Sequence, residues 1–123
     1  MAVPLDLRVA AVFSGMGQEA TAKTEVLHRA FERLYRKSPE LFPGMTFVTL
    51  SDYPHSPQLE SALFKLQNAG VIGVFNPRYE KLEIRSERLE SVLGRIRLTD
   101  QSLVAQLQEL GASARAELTV AAR

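Results

Sequence analysis

Three residues of catalytic type, Asp52, His55 and Ser56, fall within five positions. A carboxylate, an imidazole and a hydroxyl can activate an oxygen nucleophile, but such groups normally converge from distant parts of a chain. Close neighbours rarely reach the geometry. The spacing therefore reads as local architecture, with Ser56 capping a helix that begins at Pro57 and His55 as an exposed turn residue. A second motif, GMGQEATAKT (15–24), follows an apolar run and precedes a helix. Gly17, Lys23 and Thr24 fit a phosphate-binding loop, but Ala22 stands where the second Gly must let backbone amides wrap the phosphate. Asp52, after FVTLS (47–51), could imitate a magnesium-holding carboxylate. Only one helix and one hairpin follow it, too little for the parallel sheet such enzymes need. Gly15, Gly17 and Ala20 also fit a dinucleotide loop, and the same shortage of strand–helix–strand units argues against it. These glycines read as a flexible helix connection. A phosphate-binding enzyme using Lys23 and Thr24 is thus the minor alternative. For a metal, the two histidines, His28 and His55, lie far apart, and His28, beside the apolar Leu27, reads as half-buried packing. Glutamates of 80–90 alternate with arginines, which is surface pairing. Neither catalysis, nor a cofactor, nor a metal is expected.

The elements that must position these residues are legible to different degrees. Leu5–Phe13 is ambiguous: Leu5, Val9, Val12 and Phe13 have helical spacing, whereas Leu5, Leu7 and Val9 alternate as in a strand. Thr24–Lys37 predicts a helix. Its apolar stripe is Val26, Leu27, Ala30, Phe31, Leu34 and Tyr35, and its cations gather near the C-terminal end, where the dipole favours them. Ser38-Pro39 ends it. Pro43-Gly44 is a turn, and Phe47–Leu50 a short strand. The next helix runs from Pro57 to Gly70, with Leu59, Ala62, Leu63, Leu66 and Ala69 facing the core. VIGVF (71–75) and EKLEIR (80–85) form a hairpin around Asn76-Pro77-Arg78-Tyr79. Ser86 caps a third helix with Leu89, Val92, Leu93 and Ile96 inward. Thr99 or Asp100 restarts or continues it, with Leu103, Leu107 and Leu110 extending one heptad seam. Gly94 and Gly111 weaken a single long helix, and the Ala-rich end (112–123) reads as fraying helix or tail.

Composition narrows the class. At 123 residues, 46% hydrophobic and 24% charged, the chain fits one globular domain. The absence of Cys excludes disulfide scaffolds, thiol nucleophiles and thiolate zinc sites. The longest apolar run, Val9–Phe13, is far short of the ~20 residues that span a bilayer. With Asp6 before Arg8 and no basic start, no signal peptide is read. A cytoplasmic protein with no membrane partner is expected. Net charge is +1, unlike most simple nucleic-acid binders. Charge is nonetheless uneven. Residues 23–45 hold five cations against three anions, and 71–98 six against four.

Helix, short strand, capped helix and two-stranded hairpin is the order of a winged helix-turn-helix. HSPQLESALFKLQNAGVIGVFNPRYEKLEI (55–84) resembles bacterial winged-helix regulators. With LHRAFERLYRKSPELFPG before it and the approach Tyr53-Pro54-His55-Ser56-Pro57, the chain also resembles the Panacea (SocA-like) antitoxin domain. That family has Gly-Pro where Pro54-His55 stand. The resemblance covers about residues 24–85. It implies an α+β fold: a winged-helix-like domain over 1–98, with a two-stranded wing, and a C-terminal helical extension over 99–123. The seam of that extension makes it the candidate for homodimerisation.

The winged-helix resemblance implies the capped helix in the major groove of double-stranded DNA, with wing cations on phosphates. The residues for this are Ser56, Gln58, Ser61 and Lys65 at the groove and Arg78 and Lys81 on the backbone. The antitoxin-like resemblance implies holding a partner protein instead, through Glu60, Phe64 and Gln67. On a helical wheel the outer face of 57–69 carries Pro57, Glu60, Ser61, Phe64 and Asn68, with Lys65 and Gln58 on one flank and Gln67 on the other. Glu60 would repel phosphates. A Phe in a polar face usually marks a covered surface, either within the domain (under 5–13 or the C-terminal helix) or under a partner. The reading is a non-catalytic regulatory module, with DNA first and a protein partner second.

Overall fold

The ambiguous segment is a helix. In the computed structural model, which describes residues 3–17, 19–21, 23–50, 52–75 and 81–121, α1 runs over Leu5–Met16. Val9, Ala10, Ala11, Val12 and Phe13 are all 0% exposed. With its middle buried on every side, α1 has no polar face there to separate the helical from the alternating pattern. Gly17 ends α1 at φ 104°, a conformation that favours glycine.

The chain continues as β1 (Glu19–Thr21), α2 (Thr24–Lys37), a single 3-10 turn (Pro39–Leu41), β2 (Val48–Leu50), β3 (Tyr53–His55), α3 (Pro57–Asn68), β4 (Ile72–Phe75), β5 (Lys81–Ile84) and α4 (Ser86–Ala121). The fold is α+β and mostly helical. β4 and β5 form the expected antiparallel hairpin, with Ile72 opposite Ile84 and Phe75 opposite Lys81. β1 adds to the other edge of β5, Thr21 opposite Lys81, so the sheet order is β1-β5-β4. The strand expected at 47–50 belongs instead to a separate two-stranded sheet, β2 with β3.

These placements correct the phosphate-loop reading. The segment before Gly15 is a helix where that loop needs a strand, and residues 19–21 are themselves a strand. Gly15 is no connection either. It lies in the last turn of α1, where α4 passes so close that a Cβ would sit 2.0 Å from the Gln108 carbonyl oxygen. A Cβ on Gly111 would lie 1.9 Å from the carbonyl oxygen of Val12. The two glycines let two helix backbones touch.

α4 departs from helical geometry at Asp100 (φ −157°, ψ 92°). There the Asp100 carboxylate accepts the Leu103 N–H at 3.0 Å, restarting the helix as an N-cap. The helix then runs on to Ala121, beyond the fraying point expected from its alanines. Its seam points into the protein: Leu103, Val104, Leu107, Leu110 and Ala114 are buried in the common core. Arg115 reaches across to donate to the carbonyls of Met16 and Gly15, both at 3.0 Å. The apolar surface from which a C-terminal dimer was expected is therefore taken up by α1 of the same chain. Arg8 ties the other end of α1, donating to the Val3 carbonyl at 2.9 Å and the Leu41 carbonyl at 3.0 Å. The core between α1, α2 and the turn after it contains Phe13, Phe31 and Phe42, with ring centroids 6.0 and 6.2 Å apart.

Candidate functional site on the outward face of α3

α3 begins as expected. Ser56 caps it, its Oγ accepting the Leu59 N–H at 3.1 Å, and Pro57 fills the first helical position. Gly70 follows the helix at φ 76°. Leu59, Ala62 and Leu66 are buried and Leu63 partly so, whereas Ala69, expected inward, is exposed at the C-cap.

The N-terminus of α3 is held by a polar cluster that periodicity could not reveal. The Ser56 N–H donates to His28 Nδ1 at 2.9 Å. His28 is 1% exposed, not half-buried, and its ring stacks on His55 at 4.5 Å and 12°. Tyr53 presents its edge to both rings. His55 is also not the exposed turn residue expected: it is half-buried, and its Nε2 lies 2.9 Å from Glu60 Oε2. Because His28 Nδ1 accepts a bond, the neutral ring carries its proton on Nε2. Both His28 Nε2 and His55 Nδ1 are buried with no hydrogen-bond partner among the described residues. Burial, then the neighbouring His55, lowers the pKa of His28 to about 4, with Glu60 acting weakly in the other direction. The cluster joins α2, β3 and α3.

It is not a catalytic triad. Ser56 is 0% exposed and its hydroxyl is committed, accepting from Leu59 and donating to Gln58 Oε1 at 3.1 Å. Asp52 is engaged through its carbonyl, which accepts from Arg29 at 3.0 Å. Among the described residues no group of three His, Cys, Asp or Glu could hold a metal ion.

The residues expected to meet DNA divide. Ser56 is buried, so it offers nothing to a duplex; the N-cap role excludes the contact. Gln58 is half-buried, with its Oε1 accepting from the Thr46 N–H and hydroxyl at 2.9 and 3.0 Å as well as from Ser56. It positions the loop before β2. Ser61 and Lys65 are exposed. Arg78 lies outside the described residues, and Lys81 occupies a β5 position opposite Thr21 and Phe75. Two cations of α2 are already paired, Arg29 with Glu25 at 3.1 Å and Arg36 with Glu32 at 3.4 Å.

The residues expected to meet a protein lie together. Glu60, Phe64 and Gln67 follow one another at i, i+4 and i+7, and all are exposed. Phe64 is 65% exposed. Neither α1 nor α4 covers it, contrary to the expectation that the domain buries its own Phe. Beside this stripe runs an open groove of about 370 Å³, between Pro4, Leu5 and Asp6 at the start of α1 and Pro57, Gln58, Ser61, Ala62 and Lys65 of α3. The α1 wall was missed in the sequence, because nothing in residues 4–6 signals that they lie beside residues 57–65. Among the described residues no helix is long and apolar enough to cross a membrane. The chain matches no known protein-family model, no curated protein and no solved structure.

Proposed function

We propose that this protein is a non-catalytic, winged-helix-type regulatory module that acts by protein contact through the outward face of α3. The winged-helix part of the reading draws support from connectivity. A helix, an edge strand, two further helices and a hairpin, with the edge strand on the second hairpin strand, is an order in which a hairpin follows a capped helix, as a winged helix would have it. The part that concerns a partner rests on one observation: Phe64 is 65% exposed in the middle of the Glu60–Phe64–Gln67 stripe. Aromatic residues are the usual anchors of protein interfaces. An acidic residue one turn before it suits a protein surface better than a phosphate backbone.

A second reading, as a DNA-binding regulator, is favoured by the same connectivity and by Lys65 and Ser61 on the exposed side of α3. One comparison separates the two. Wild type and Phe64→Asp are used as bait for cellular proteins and are mixed with duplex DNA at roughly 50 mM salt. Protein contact predicts a retained partner that Phe64→Asp loses while its circular dichroism and melting stay unchanged. Duplex retardation that falls steeply with salt and tolerates Phe64→Asp refutes it in favour of DNA.

A further inference from the structure

The groove beside Phe64 has an unusual charge distribution. Asp6, in the first turn of α1, stands on one wall, and Lys65, in the last turn of α3, on the other. Among the described residues neither makes an ion pair or a side-chain hydrogen bond. Phe64 lies three residues after Ser61 of the groove wall, so an exposed aromatic and a groove are neighbours on the surface of α3.

We propose that the occupant of this groove is a second copy of the same chain, packed about a two-fold axis that runs beside α3. In an isologous interface, residue i of one copy meets j of the other while j meets i. Asp6 and Lys65 then pair twice, which a heterologous partner achieves only by carrying the matching charges itself. Phe64 of each copy enters the groove of the other. A volume of about 370 Å³ lies within the range of about 300–1,000 Å³ typical of ligand pockets, ample for one aromatic side chain. The heptad seam of α4 plays no part, since it is already buried against α1. The face is small: twelve residues of α3 extend about 18 Å. The dimer belongs with small, exchanging interfaces, not with obligate ones. This inference rests on the protein-contact reading and adds the identity of the partner.

Sedimentation equilibrium of the full chain, from about 1 μM to about 1 mM, tests it. Wild type moves from monomer to dimer across the series. Phe64→Asp stays monomeric with unchanged circular dichroism. Asp6→Lys and Lys65→Asp each weaken association by about tenfold, as like charges replace both pairs, and the double variant restores it. A double variant no better than the single ones overturns the proposed pairing. A wild type that is monomeric throughout overturns self-association altogether. In that case a cellular partner lost on Phe64→Asp leaves the protein-contact reading standing, and capture indifferent to Phe64→Asp removes both.

Discussion

Gly111→Ala exchanges a poor helix former for the best one in the interior of a helix, which at an exposed site stabilises by about 1 kcal/mol. Here the sign reverses. The added Cβ would lie 1.9 Å from the Val12 carbonyl oxygen, 3.0 Å from its carbon and 3.2 Å from Gly15 Cα. Real Cβ contacts essentially never fall below 3.0 Å, so α1 and α4 must part by about 1 Å. All three atoms are backbone, and no side chain can swing aside. Overpacking costs about 1–3 kcal/mol, and rigid neighbours put this site at the upper end. Subtracting the helix-propensity gain leaves a net loss of about 2 kcal/mol. With an unfolding entropy of about 2.1 cal/mol/K per residue, 123 residues lose about 4 °C per kcal/mol, so Tm falls by about 8 °C. Gly94→Ala is the internal control, because nothing beyond its own stretch of helix backbone lies within 4 Å of its Cβ position. It gains about 1 kcal/mol and about 4 °C. Thermal and urea unfolding of both variants measure the difference. A Gly111→Ala protein melting at or above wild type refutes the close crossing, and with it the assignment of the α4 seam to the interior.

Acid should weaken the fold through His28. Its pKa is lowered from 6.5 to about 4, so between those values the unfolded chain binds the proton and the folded one does not. Stability is whole above pH 6.5 and falls as pH drops towards 4, by up to about 3 kcal/mol. His55, Glu60 and Tyr53 surround the ring, and His28→Phe, less stable overall, should show a correspondingly flatter pH profile in chemical denaturation. At the break in α4, Asp100→Ala should cost about 1 kcal/mol, whereas Asp100→Ser keeps a capping oxygen and most of the stability. Equal losses in the two variants would remove the capping role.

Local chemistry was readable wherever one face of an element is wet. α2 and α3 alternate buried and exposed positions at helical spacing, and Ser56, Pro57 and Gly70 mark the ends of α3 by their own preferences. The hairpin was legible for the same reason, whereas a break at Thr99 or Asp100 and a continuous helix read alike until Asp100 was seen to cap Leu103. α1 was not legible, since its middle, buried on every side, has no polar face to separate the two patterns. Nor was β1, three residues whose strand character comes from β5, about sixty positions later. Of the site, Glu60, Phe64 and Gln67 could be placed on an outward stripe from spacing alone. That His28 accepts from the Ser56 N–H, that His55 lies on His28, and that Asp6 stands across from Lys65 could not be.

By itself, then, the sequence determined the elements that have a wet face: that α2 and α3 are helical, where α3 is capped, and that α3 turns a phenylalanine outward. These follow from preferences acting over a few residues. Only the tertiary structure decided what each element touches. The α4 seam reads equally well as a dimer interface or a core, because leucines at heptad spacing demand an apolar partner without specifying which chain supplies it. Gly15 and Gly111 settled it, by allowing the backbones of α1 and α4 to meet. With α4 thus turned inward, Phe64 on α3 remains 65% exposed.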